Sequence, residues 1–123
     1  MARNPQSQWL HNSMVEVQAN HWKSKGYRVS ADLPGWAQPA LIRGFIPDVA
    51  AEGGLLGIDR VITEVETAES LNTDHTRRQW LTFSSLRGIR FEVVVPESAL
   101  AQAQALARGW RVRVDRWWYR RGV

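Results

Sequence analysis

The sequence predicts an α/β domain, and three observations carry that prediction. Segments of helical and of strand character follow one another in the order α-β-β-β-α-β-α-β. The most strand-like of them, "LLGIDRVITEVET", lies mid-chain between a Gly53-Gly54 turn and a helix, where a central strand is expected. "IRFEVVVP" reads as a second buried strand, and an alanine-rich helix separates it from a last, alternating one.

Each element has a local justification. In "NSMVEVQANHWKSKG", Ser13 can cap a helix, Met14, Val15, Val17 and Trp22 supply its apolar side, Lys23 and Lys25 suit its C-terminal dipole, and Gly26 ends it. "YRVSA" is a short strand and "DLPGWAQPA" a Pro/Gly loop. "LIRGFIPDVAA" is a second strand bulged near Gly44, and Gly53-Gly54 turns the chain into the third. "SLNTDHTRRQWLTFSSLRG" is helical from Asp74, with Trp80 and Phe83 marking its inner face and Gly88 its stop. Pro96-Glu97 opens the helix of "ESALAQAQALARG" and Gly109 closes it. In "WRVRVDRWWYR", alternation sends Arg111 and Arg113 to one face of a strand and Val112 and Val114 to the other.

Composition bounds the function. Residues 1–123 suffice for one domain with one core. No apolar run approaches the roughly 18–20 residues of a membrane helix, and "MARNPQSQWLHN" lacks the apolar stretch of a signal peptide, so a cytoplasmic protein with no membrane partner is expected. Cysteine is absent, which removes disulfides and thiolate metal sites. The net charge is +4, and 14 of the 16 basic residues are arginine. That balance favours a polyanionic partner.

One feature of the third strand runs against its apolar character. Glu64 and Glu66 project to the same face of it, and Asp48, on the neighbouring strand of the hairpin, can reach that face near the strand ends. Like charges held together raise each other's pKa unless a cation lies between them. Three converging carboxylates make an oxygen-rich site suited to Mg²⁺ or Mn²⁺. The competing reading is a solvent-facing pair of acids at a sheet edge, neutralised by Arg60 or Arg90.

The element order with Pro47-Asp48, a Gly-Gly turn and Glu64-Val65-Glu66 resembles the PD-(D/E)XK, or restriction-endonuclease-like, nuclease superfamily, and is closest in layout to archaeal-type Holliday junction resolvases. The resemblance covers nearly the whole chain from Ser13. It implies an αβββαβ core with a C-terminal αβ extension and a central mixed sheet flanked by helices. It also implies that Asp48 and Glu64 are the metal-binding acids of a Mg²⁺- or Mn²⁺-dependent endonuclease of DNA recombination and repair. Glu66 stands where the superfamily usually has lysine. Some restriction enzymes of the superfamily carry the same E-x-E, in which the second glutamate accepts a proton or holds a second metal ion.

Further site residues follow from the same comparison. A polar residue on the helix after the motif often assists the site, which points to Gln79 first and His75 second, on one helix face. Glu16 is a candidate because first helices of junction resolvases often supply an acid, whereas Glu69 reads as helix-start chemistry. Arg77 and Arg78 bring positive charge near the site, and Arg111, Arg113 and Arg116 face outward beside Trp117 and Trp118. Those C-terminal arginines fit either phosphate contact or a homodimer surface.

The expected chemistry is metal-dependent phosphodiester hydrolysis, with arginines neutralising flanking phosphates without reading bases. No room remains for a sequence-reading domain, so branched or other structured DNA is the expected substrate. Two other classes stay open: a catalytically impaired nucleic-acid-binding module of the same fold, and a structural or assembly subunit that dimerises through its Trp-rich end.

Overall fold

The computed structural model describes residues 4–122. Its first helix, α1 (Pro5–Ser24), begins well before Ser13. The Asn4 side chain accepts from Ser7 N at 2.8 Å and Pro5 occupies the first turn, a pairing that starts helices because proline has no N–H to leave unsatisfied. Ser13 is therefore mid-helix, and its hydroxyl donates back to the Trp9 carbonyl rather than capping.

Three strands follow in a meander: β1 (Arg28–Ala31), β2 (Val49–Gly53) and β3 (Asp59–Val65), each antiparallel to the next. The segment expected to be a bulged strand is a loop instead. Arg43 and Gly44 take positive φ in a tight turn closed by an Ile42–Phe45 bridge, and pairing with β3 starts only at Val49.

A one-turn helix, α2 (Ala68–Leu71), and the longer α3 (Asp74–Ser84) lead to β4 (Arg90–Pro96), which lies parallel to β3. The next helix, α4 (Leu100–Trp110), leads to β5 (Arg116–Arg120), parallel to β4. The result is a five-stranded mixed sheet in the order β1-β2-β3-β4-β5. Among the described residues no helix is long and apolar enough to cross a membrane.

The last strand is shorter than its alternation predicts. Helix α4 runs past Gly109 through Trp110, and Arg111 caps it in the left-handed conformation at φ 58°. Val112 then buries itself beyond the cap, which leaves Arg111 and Arg113 on a connecting loop rather than a strand face.

Alternation along β3 splits the core in two. Val61 and Val65 pack with Met14, Val15, Ala19 and Trp22 of α1 on one face of the sheet. Ile62 packs with Trp80, Phe83, Phe91 and the alanines of α4 on the other. The tryptophan pair of β5 is divided between these layers, Trp117 against Trp80 and Trp118 against His21, so neither ring depends on a second molecule for cover.

On the α1 face, fully buried Glu92 accepts from Arg90 Nη1 at 2.8 Å and from Trp118 Nε1 at 2.7 Å, while Arg90 Nη2 also holds Asp59 at 2.7 Å. Arg90 is thus committed to this face and is not the neutralising partner of Glu64 or Glu66. Replacing it by Ala strands a buried carboxylate; because Arg90 is itself partly exposed, the expected cost is about 2–3 kcal/mol. Urea denaturation of Arg90→Ala against Glu92→Gln checks this, the second being the milder change because it keeps an acceptor for Trp118.

Candidate functional site

β2 begins where β3 ends, and the two strands exchange hydrogen bonds there through their acids. Asp48 Oδ2 accepts from Val65 N at 2.8 Å, and Glu64 Oε2 accepts from Asp48 N at 3.3 Å. The other Asp48 oxygen lies 3.3 Å from His11 Nε2 on α1. Glu64 is only 1% exposed, and its Oε1 is buried with no hydrogen-bond partner.

The electrostatics follow from that crowding. Burial pushes the Glu64 carboxyl well above its ordinary value, the Asp48 charge pushes further, and Glu66 adds to both. Burial also pushes Asp48 up, but hydrogen bonds from His11, Glu64 and Val65 N outweigh it and hold Asp48 below the usual value. Glu64 therefore holds its proton more tightly than a free carboxyl group, while Asp48 gives its proton up more readily.

Glu66 does something different. Its Oε1 accepts from Ser70 at 2.8 Å and Thr76 at 3.3 Å, and its Oε2 accepts from Trp80 Nε1 at 3.3 Å. These bonds fasten the end of β3 to α2 and α3, so the convergence of three acids expected from their spacing reduces here to the Asp48–Glu64 pair. Among the described residues no group of three or more His, Cys, Asp or Glu side chains is placed to hold a metal ion. Two hard carboxylates with one unsatisfied oxygen still fit a Mg²⁺-type ion, which takes one or two protein carboxylates and completes its shell with water and substrate oxygens.

A cleft of about 830 Å³ opens beside the pair, outside the carboxyl end of β3, where open α/β sheets bind ligands. Asp48 and Glu66 line it together with His75, Arg78 and Gln79 of α3 and His11 of α1. Glu64 does not line it. Among the described residues that line the cleft, four acids, Asp32, Asp48, Glu66 and Glu69, face one arginine, Arg78, whose guanidinium lies 3.0 Å from Asp74. Arg77 shares the same carboxylate.

Most of the remaining candidates lie elsewhere. Glu16 is exposed on α1 and outside the cleft. Glu69, at the rim of the cleft, sits in the first turn of α2 as its local helix-start reading has it, but its carboxylate oxygens hold Asn4 and so support the start of α1. Arg111 and Arg113 sit on the loop that enters β5 from the opposite end of the sheet to Asp48, and Arg113 pairs with Asp115. Arg116 stacks over the Trp118 ring at 3.7 Å.

Sequence reasoning missed His11, Gln8 and Asn12. The spacing His11–Met14–Val15–Gln18–Trp22 traces the buried stripe of α1 and would have found the histidine. Compared with protein-family models, curated proteins and solved structures, the chain matches none.

Because the folded state holds a proton on Glu64 that the unfolded chain releases, metal-free stability should fall as pH rises from 4.5 through the raised Glu64 value. Asp48 acts with the opposite sign, its contribution being lost as pH falls below 3.8. Glu64→Gln removes the titrating group and with it the cost of keeping a carboxyl protonated above 4.5, so in chelator at neutral pH it should melt higher by several degrees and lose that decline; about 1 kcal/mol corresponds to roughly 3–6 °C at this size. Thermal melts across pH read both.

Proposed function

We propose that the chain is a metal-dependent endonuclease that hydrolyses phosphodiester bonds of structured or branched DNA on a restriction-endonuclease-like fold. The observation that carries this reading is the Asp48–Glu64 pair: two carboxylates locked together with no arginine or lysine among the described residues bound to either, beside an acid-lined cleft. Supporting it is the strand order, a three-stranded meander followed by a helix and a fourth strand parallel to the third, which agrees with the αβββαβ layout.

Asp48 and Glu64 would hold Mg²⁺ or Mn²⁺. Bound there, the ion would polarise the phosphate and lower the pKa of a coordinated water. The chain's own contributions follow from its contacts. His11 and Val65 N orient Asp48, and Glu64 keeps an oxygen unengaged. Glu66, held by three donors, fixes the end of β3 against α3 and so sets where Gln79 and His75 meet a substrate in the cleft. Four acids against one arginine repel a bare phosphodiester, so substrate enters productively only with the cation that offsets them.

Arg77 and Arg78 reach a phosphate by exchanging it for Asp74. Arg111, Arg113 and Arg116, remote from the cleft, would meet DNA that extends past the far end of the sheet, or a second copy in a homodimer.

A specific observation favours a second reading, a binding module without catalysis. Glu66 replaces the usual lysine with both oxygens engaged, and no lysine lines the cleft. Cleavage assays on junction, flap and linear DNA with Mg²⁺, Mn²⁺ and chelator separate the two. Under the nuclease reading the wild type cuts with metal only, and Asp48→Asn and Glu64→Gln lower the rate by roughly 10²-fold or more while binding DNA in chelator at least as tightly. Binding of all three DNAs without cleavage of any favours the second reading.

A further inference from the structure

We infer that the cleft contains, beside the carboxylate pair, a seat for one unpaired nucleobase. The inference rests on the nucleic-acid part of the reading above, and goes beyond it in naming what the rest of the cleft takes. The carboxylates and their cation account for only a small part of a cleft of about 830 Å³, which is within the size range of sites for whole organic ligands.

The chemistry of the remaining wall is that of a base rather than a backbone. Phe45 and His75 both line it, with ring centroids 5.7 Å apart and planes at 67°. Beside them are Leu41, 67% exposed, and Ile46, 37% exposed. Such surfaces accept the face of an unstacked base.

Amides supply the edge recognition. Gln8 Nε2 donates to Asn12 Oδ1 at 2.8 Å, which leaves Gln8 Oε1 as an acceptor and Asn12 Nδ2 as a donor toward the cleft both residues line. The Gln79 side chain makes no hydrogen bond to any described residue and lines the same cleft. Asn and Gln amides present the paired donor and acceptor that match a base edge.

Charge excludes the alternative occupant. A groove that tracks phosphates needs a run of cations, whereas among the described residues Arg78 is the one arginine or lysine on this wall, and it is held by Asp74. A base paired within a duplex has its edge engaged by its partner and its faces stacked, so it offers neither to the aromatic and amide wall. The occupant is therefore a nucleotide already unpaired at a branch, with its base on the aromatic and amide wall and its phosphate toward Asp48.

The test compares two flap DNAs, identical except that the unpaired nucleotides at the branch are normal in one and abasic in the other. Binding is measured by fluorescence anisotropy in Ca²⁺, and cleavage of the same flaps in Mg²⁺. The abasic flap should bind roughly tenfold more weakly. His75→Ala and Gln79→Ala, at positions outside the core, should weaken the normal flap several-fold and leave the abasic flap unchanged. Equal affinity for the two flaps, or equal losses on both in the variants, overturns the base seat. Cleavage without dependence on the base leaves the nuclease standing and removes the seat. Base-dependent binding without cleavage does the reverse, and failure to bind any DNA removes both.

Discussion

The candidate site depends on a reciprocal exchange where β2 starts and β3 stops: the side chain of Asp48 accepts from the backbone of Val65, and the side chain of Glu64 accepts from the backbone of Asp48. Carboxylates thus continue a ladder that backbone carbonyls would otherwise complete. The strands cannot draw apart to relieve the repulsion, because Val49, Val61 and Val65 are packed beneath α1 and Ile62 beneath α3. Relief must come from a proton or a cation. In the metal-free protein burial and the Asp48 charge both favour the proton on Glu64.

The same sheet shows what a structural buried glutamate looks like. Glu92 is also fully buried, but Arg90 and Trp118 satisfy it, and the arginine is anchored in turn by Asp59. Glu64 lacks any such cation and keeps an oxygen with no partner. A buried carboxyl oxygen without a partner costs stability that a hydrophobic residue would not, which sets Glu64 apart from Glu92. Glu66 belongs nearer the structural type, since a hydroxyl pair and an indole occupy it and tie β3 to the helix that carries His75 and Gln79.

Much of this fold was legible in the sequence because its strongest elements are locally consistent. The hairpin into β3, the start of α3 at Asp74, its Trp80 and Phe83 face and the run of β4 all combine pattern with turn or cap chemistry. Where the reading failed, local signals competed. Asn4-Pro5 is a helix start, but the polar stretch after it has little apolar periodicity, and the cap-like Ser13 before the apolar run from Met14 drew the boundary too late. Gly109 is the obvious helix stop, yet the chain continues to Arg111 because Val112 then gains a buried position. At the site, Asp48 and Glu64 were legible from spacing. The engagement of Glu66 was not, because it depends on Ser70, Thr76 and Trp80 arriving from helices whose placement is tertiary.

Charge is distributed against the chain's average. A net charge of +4 suits a polyanion, and Arg43, Arg60, Arg87, Arg108, Arg111, Arg113 and Arg116 are exposed. The cleft itself is acidic. The exposed arginines set a positive field over much of the surface, whereas Asp32, Asp48, Glu66 and Glu69 set a negative one along the cleft. Under the proposed function a polyanion drawn to the surface would meet a barrier at the cleft that a divalent cation near Asp48 would lower, and a single freed strand end would meet less of that barrier than an intact duplex, which brings two phosphate backbones toward the same four acids.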